Sequence, residues 1–208
     1  PIKGHPKQEI IDAAPVQRTA VVADDFPFMK AKMLVNVGDV VKRGQKLFED
    51  RKNPGIFFTS PAAGELTAVN RGEKRRLLSV VIDLNEREIS GKTEDQDFYA
   101  FESYRSNKMN DATSVRSLLI ESGMWTALRT RPYSQVPPVD SECTAIFVTA
   151  IDTSPLAADV NVVLAGKRKD FKAGLKVLAK LNPKHMFVCQ GEEDRKSTRL
   201  NSSHPSIS

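Results

Sequence analysis

The sequence predicts a small β-module followed by a truncated α/β domain of Rossmann-like type. Three observations carry that prediction. Between about residues 15 and 90, short apolar–polar alternations are punctuated by turn glycines; a polar, charged stretch follows; and the last third holds an apolar run, an amphipathic helix and a second apolar run. The boundaries read as 1–95 for the β-module, 96–110 for a linker and 111–193 for the α/β domain. The 208 residues and an apolar content of 40% are enough for two small cores.

Within the first module, Val35-Asn-Val-Gly-Asp-Val-Val-Lys-Arg-Gly-Gln-Lys-Leu47 alternates around Gly38 and Gly44. Ser60-Pro-Ala-Ala-Gly-Glu-Leu-Thr-Ala-Val69 repeats the plan with a turn at Gly64. Short strands of this kind make a sandwich or barrel, and the glycines are expected to supply positive φ at tight turns. The layout is similar to the barrel-sandwich fold of biotinyl and lipoyl carrier domains. Carriers display a modified lysine at a hairpin tip ahead of the Ser-Pro-x-x-Gly turn. Here that position falls on Asn53, Lys52 is one residue out of register, and Pro54-Gly55 builds a stiff turn. The module therefore reads as a derivative of that fold without lipoate or biotin.

After the polar stretch from Ser90 to about residue 110, Asp111 or Thr113 can cap a helix whose apolar face is Val115, Leu118 and Leu119, with Gly123 as its stop. The continuous run Ala145-Ile-Phe-Val148 is expected as a strand buried on both faces. A helix from Asp170 to Leu181 would place Phe171, Leu175, Leu178 and Leu181 on one side, ended by Asn182-Pro183, and Met186-Phe-Val-Cys189 supplies the next strand. Strand, crossover helix and strand make a βαβ unit with a parallel pair.

Composition narrows the function classes. Thirty-one basic residues against 26 acidic ones give a net charge of +5. Asp194-Arg-Lys-Ser-Thr-Arg-Leu-Asn-Ser-Ser-His204 reads as a translated sequencing-library adapter, so residues 194–208 are set aside as a disordered artefact. Without its three basic residues and one acidic residue the excess falls to +3. That is too weak and too dispersed for a nucleic-acid partner. The densest patch, Lys74-Arg75-Arg76, is expected at an exposed hairpin tip. Cys143 and Cys189 belong to no metal-spaced cluster, and neither His5 nor His185 has a partnered nucleophile or carboxylate at a recognisable spacing. There is no glycine–lysine phosphate loop, and no uncharged stretch is long enough to cross a bilayer.

The most distinctive segments are Glu121-Ser-Gly-Met-Trp-Thr-Ala-Leu-Arg-Thr-Arg-Pro-Tyr-Ser-Gln-Val-Pro137 and Phe147-Val-Thr-Ala-Ile-Asp-Thr-Ser-Pro-Leu-Ala-Ala-Asp159. The first joins the only Trp to two arginines and rigid prolines in a stretch that is neither regular helix nor strand, as in a shaped functional loop. Trp125 and Tyr133 offer ring faces, and Arg129 and Arg131 offer donors to a carbonyl, so a slot for a flat, mostly apolar ligand is one reading. The other places Trp125 and Leu128 in the core, with the arginines paired to acidic neighbours. Asp152 and Asp159 read as turn and helix-cap residues in preference to a cation site.

The order and spacing of these motifs resemble the NqrA subunit of the bacterial sodium-translocating NADH:quinone reductases, from about Pro1 to about Gly191. Both chain ends are then expected to be those of a fragment. The resemblance implies a peripheral subunit on the cytoplasmic face of the inner membrane, docked to the membrane subunit NqrB and contributing to quinone binding and complex assembly. NADH oxidation, flavin and iron–sulfur chemistry and sodium passage would belong to other subunits, ubiquinone being the substrate of the complex. The fragment alone is expected to bind no cofactor and to be inactive. The second module also looks like the flavin- and NADH-binding subunit of complex I and of Rnf-type redox complexes. Ser122-Gly-Met-Trp-Thr-Ala-Leu-Arg129 lacks the glycine-rich loop those proteins use at the flavin phosphate, so the likeness implies their fold without their flavin. A barrel-sandwich carrier domain and a flavin-binding electron-transfer subunit are the alternative functions.

Overall fold

The computed structural model describes residues 6–106, 111–181 and 183–191. His5 and the adapter-like stretch 194–208 lie outside the described residues. The chain forms two compact units: Ala13–Glu142, and a second that joins the segment up to Asp12 with the chain from Cys143 onward.

The first unit opens with β1 (Arg18–Val22), β2 (Ala31–Met33), β3 (Val40–Val41), β4 (Lys46–Asp50), β5 (Phe57–Thr59), β6 (Gly64–Arg71) and β7 (Leu77–Leu84). They make two antiparallel sheets, ordered β1-β7-β6-β3 and β2-β4-β5. Alternation sends Leu66, Val80 and Ile82 inward from the first sheet; in the second, Phe58 and the adjacent Leu47 and Phe48 are all buried, the β4–β5 register shifting between Lys46 and Phe48, and all six side chains are at 3% exposure or less. Burying each such side chain contributes about 1.5–3 kcal/mol. Phe58 centres the core: Phe48 stacks on it at 4.6 Å and Phe26 meets it edge-on at 4.6 Å.

Gly38 and Gly44 have φ of +94° and +86°, as the turns require. Gly64 is needed for a different reason: a Cβ there would lie 2.0 Å from the Asp83 carbonyl oxygen on β7. The hairpin from β4 to β5 is organised by Asp50, a buried carboxylate that accepts from the backbone N–H groups of Lys30 and Lys52 (both 3.0 Å) and from Asn53 Nδ2 (2.8 Å). Lys74 and Arg75, with φ of +51° and +60°, lie in the exposed turn between β6 and β7.

The polar chain after β7 is held along the β-module. Asn85 caps α1 (Glu86–Ser90), accepting from Glu88 N–H at 2.9 Å. Glu88 pairs with Arg43 and accepts the Ala63 N–H at 2.8 Å. Asp97, 2% exposed, takes two hydrogen bonds from Arg87 (2.7 and 2.6 Å) and one each from Asn85 Nδ2 and the Glu94 N–H (both 2.9 Å). The Arg87 guanidinium, followed by these other donors, holds the Asp97 carboxyl well below the usual carboxylate range. Next come α2 (Glu102–Ser106) and α3 (Ala112–Glu121). Asp111 caps α3 through the Ser114 N–H at 2.9 Å, and Glu121 accepts the Glu102 and Ser103 N–H groups at 3.0 and 2.9 Å, tying α2 to α3.

In the second unit β8 (Ala145–Thr149) and β9 (His185–Cys189) pair in parallel, with α4 (Val160–Val163) and α5 (Arg168–Ala179) between them. The predicted βαβ order is present, α5 beginning and ending two residues before the predicted limits. Leu175 and Leu181 are buried as expected. Burial of β8 on both faces is not observed. Ile146, Val148, Met186 and Val188 are half-buried, whereas Phe147 and Phe187 point the other way and stay 65% and 47% exposed, their rings stacked at 5.0 Å. With a side-chain period of two, cover on one face leaves the alternate residues bare.

Candidate functional site

The distinctive loop begins where α3 stops. Gly123, with φ +77°, turns the chain into a short 3-10 segment, Met124–Ala127. The Thr59 hydroxyl at the end of β5 donates to the Ser122 carbonyl at 3.0 Å, seating this turn on the β-module.

Trp125 is 3% exposed, its indole N–H donates to the Pro137 carbonyl at 2.8 Å, and the Arg116 guanidinium lies 5.0 Å above its ring. Arg116 also donates to the carbonyls of Val139 and Ser141. The indole and Arg116 thereby clamp the proline-rich return of the loop. Trp125 occupies the core position of the two readings open from sequence.

Arg129 is exposed and turns to another element: it donates to the Asp25 carbonyl at 3.1 Å and lies 4.7 Å over the Phe26 ring. Arg131 and Tyr133 sit in a turn closed by Thr130 N–H to the Gln135 carbonyl at 2.8 Å, both exposed, Tyr133 at 72%. The four residues singled out in sequence share one loop without converging on one point. Arg116 and Phe26 were not singled out; each acts through a tertiary contact that no local pattern announces.

Beside the Arg129–Phe26 pair lies a cleft of about 290 Å³. Phe26, Ile56 and Phe58 give it an apolar side, and Asp50, Lys52, Asn53 and Gln135 line it with polar groups. Phe28, which also lines the cleft, is 65% exposed with φ +68°, a costly conformation for an aromatic residue. Among the described residues no group of three or more His, Cys, Asp or Glu side chains could hold a metal ion, and no helix is long and apolar enough to cross a membrane. Asp152 and Asp159 both act as local caps, accepting the N–H groups of Ser154 (2.9 Å) and Asn161 (2.8 Å).

A two-sheet barrel-sandwich module followed by a parallel βαβ domain is the class of protein these elements define. Residues 1–85 match the family model described as the NqrA N-terminal barrel-sandwich hybrid domain, and residues 110–204 match the one described as the NqrA second alpha/beta domain. Curated relatives named as this same component of the Na(+)-translocating NADH-quinone reductase agree with these matches. One from Haemophilus influenzae (strain PittGG) is 47% identical over 204 residues, 96% of this chain and 44% of its own length. One from Neisseria meningitidis serogroup B is 45% identical and one from Shewanella amazonensis 46% identical, each over 192 residues, 91% of this chain and 41% of the relative. The chain belongs to the NqrA family of sodium-translocating NADH-quinone reductase subunits, and it spans less than half the length of these relatives.

Proposed function

We propose that this chain forms the first two domains of a peripheral NqrA subunit in a sodium-pumping NADH:quinone reductase, and that it contributes to quinone binding and complex assembly. The observation that carries the quinone reading is the aromatic-sided cleft with Arg129 against Phe26. A quinone ring would rest against Phe26 and Phe58, with donors from Lys52, Asn53 or Gln135 directed to its carbonyls. In this reading Trp125 sets the loop's position and Gln135 carries the loop into the cleft; Arg129 stands at its edge against Phe26, and Arg131 and Tyr133 stay outside its lining.

The protein docks to the membrane subunit NqrB on the cytoplasmic face of the inner membrane, and NADH oxidation, flavin and iron–sulfur chemistry and sodium passage reside in other subunits. The lack of a glycine-rich loop in residues 122–129 supports a chain without flavin. The test is Arg129→Ala in the assembled complex, with quinone affinity and NADH oxidation measured separately. Losing a charge-assisted donor beside the ring should weaken quinone binding roughly tenfold. NADH oxidation by the partner subunits should persist. Unchanged quinone affinity in Arg129→Ala and in Phe26→Ala would overturn the assignment.

A further inference from the structure

The second unit holds its own crevice, of about 400 Å³, separate from the quinone reading. It is lined by Ala150, Ile151 and Asp152, which follow β8, and by Gly191, which follows β9. It therefore opens beyond the carboxyl ends of two parallel strands, where α/β domains bind their ligands. One of its lining side chains comes from far away in sequence. The Gln8 amide donates from Nε2 to the Ala157 carbonyl at 3.1 Å and accepts at Oε1 from the Asp159 N–H at 2.8 Å.

That pairing is specific in its chemistry. A main-chain acceptor and a main-chain donor two residues apart match the NH₂ and C=O of a primary carboxamide, which carries donor and acceptor on separate atoms, whereas an ionised carboxylate has no donor and a lysine or arginine head no acceptor. We propose that this crevice is a carboxamide-binding site, occupied in cis by Gln8, and that it takes a small primary carboxamide when Gln8 is withdrawn. The lining includes the Asp152 and Asp159 carboxylates and neither Lys nor Arg. The Ser154 hydroxyl and N–H keep the Asp152 carboxyl below its ordinary range, so it is ionised at neutral pH. The preferred ligand accordingly carries a cationic group next to its amide, and a carboxylate is refused. Because Gln8 is tethered, it competes at a high local concentration and excludes weak free ligands from the unaltered protein.

The test follows the backbone amide signals of Ala157 and Asp159 by NMR while the full chain is titrated with glycinamide, propionamide and propionate. Gln8→Ala should show saturable shifts with glycinamide at millimolar concentrations, weaker ones with propionamide and none with propionate. The unaltered chain should need roughly tenfold more glycinamide for the same shift, the tethered amide having to be displaced first. Gln8→Glu, which removes the donor to Ala157 and sets a third carboxylate in the crevice, should also admit glycinamide; it guards against a folding defect peculiar to the alanine variant. No saturable shift in either variant, equal affinity in variant and unaltered chain, or equal response to propionate would overturn the proposal.

Discussion

Gly123 sits directly against Thr59: a Cβ on the glycine would lie 2.6 Å from Thr59 Oγ1 and 2.8 Å from its methyl carbon. The same threonine holds the Ser122 carbonyl. The end of α3 is thus fixed to β5 by a contact with no room for a methyl group, and everything that follows in the loop inherits its position.

Gly123→Ala should therefore destabilise the protein by about 1–3 kcal/mol, since it adds a left-handed backbone penalty to a clash. Chemical denaturation with an unchanged m-value checks it. The double variant with Thr59→Ala relieves the clash but gives up the hydrogen bond to the Ser122 carbonyl, so its loss should be smaller than the sum of the two single losses.

Trp125→Ala should cost about 3–5 kcal/mol, the range for removing a buried indole. Trp125→Phe keeps most of the apolar volume and loses the hydrogen bond to Pro137, so about 1–2 kcal/mol is expected. Measuring quinone affinity on the same variants separates a structural role from a ligand-facing one. If the loop position matters only through folding, affinity should be unchanged in the phenylalanine variant.

Acid should loosen the joint between α1 and the chain at Asp97. The folded Asp97 carboxyl titrates below its unfolded value near 4. Its contribution is fully present above that unfolded value and fades as pH falls through the lower folded value. Melting temperature measured from pH 7 downward should fall less steeply for Asp97→Asn than for the unaltered chain. Parallel curves would show that Asp97 is not a source of the acid lability.

Gly64→Ala tests a purely spatial requirement. Its Cβ would meet a backbone oxygen within the β6–β7 pairing, where neither strand can yield without losing register, and a loss of about 3 kcal/mol or more is expected. Gly38→Ala, with open space around it, should cost only the left-handed backbone penalty of about 1 kcal/mol.

The two modules were legible because their periods are local. Alternation around Gly38 and Gly44, the Asp111 cap, and the order of strand, helix and strand from Ala145 to Cys189 each depend on a few neighbouring residues. The candidate site was legible only as a loop. That Trp125 would lie under Arg116 depends on the proline-rich return, and that Arg129 would reach Asp25 and Phe26 depends on packing between elements 104 residues apart. Likewise Gly64 looks like the other turn glycines in sequence, and only the approach of β7 reveals that it answers a spatial demand. The exposure of Phe147 could not be read from the apolar run Ala145–Val148, because a run without alternation does not say which face is covered.

Phe147 and Phe187 leave an apolar patch exposed on the β8–β9 pair. Two exposed, stacked rings are expected to attract other copies of the chain, and apolar adhesion of that kind strengthens on warming and in sulfate and weakens in the cold. Light scattering should accordingly rise with temperature well below the unfolding transition, and dilute, chilled, low-salt solutions should keep the polypeptide dispersed.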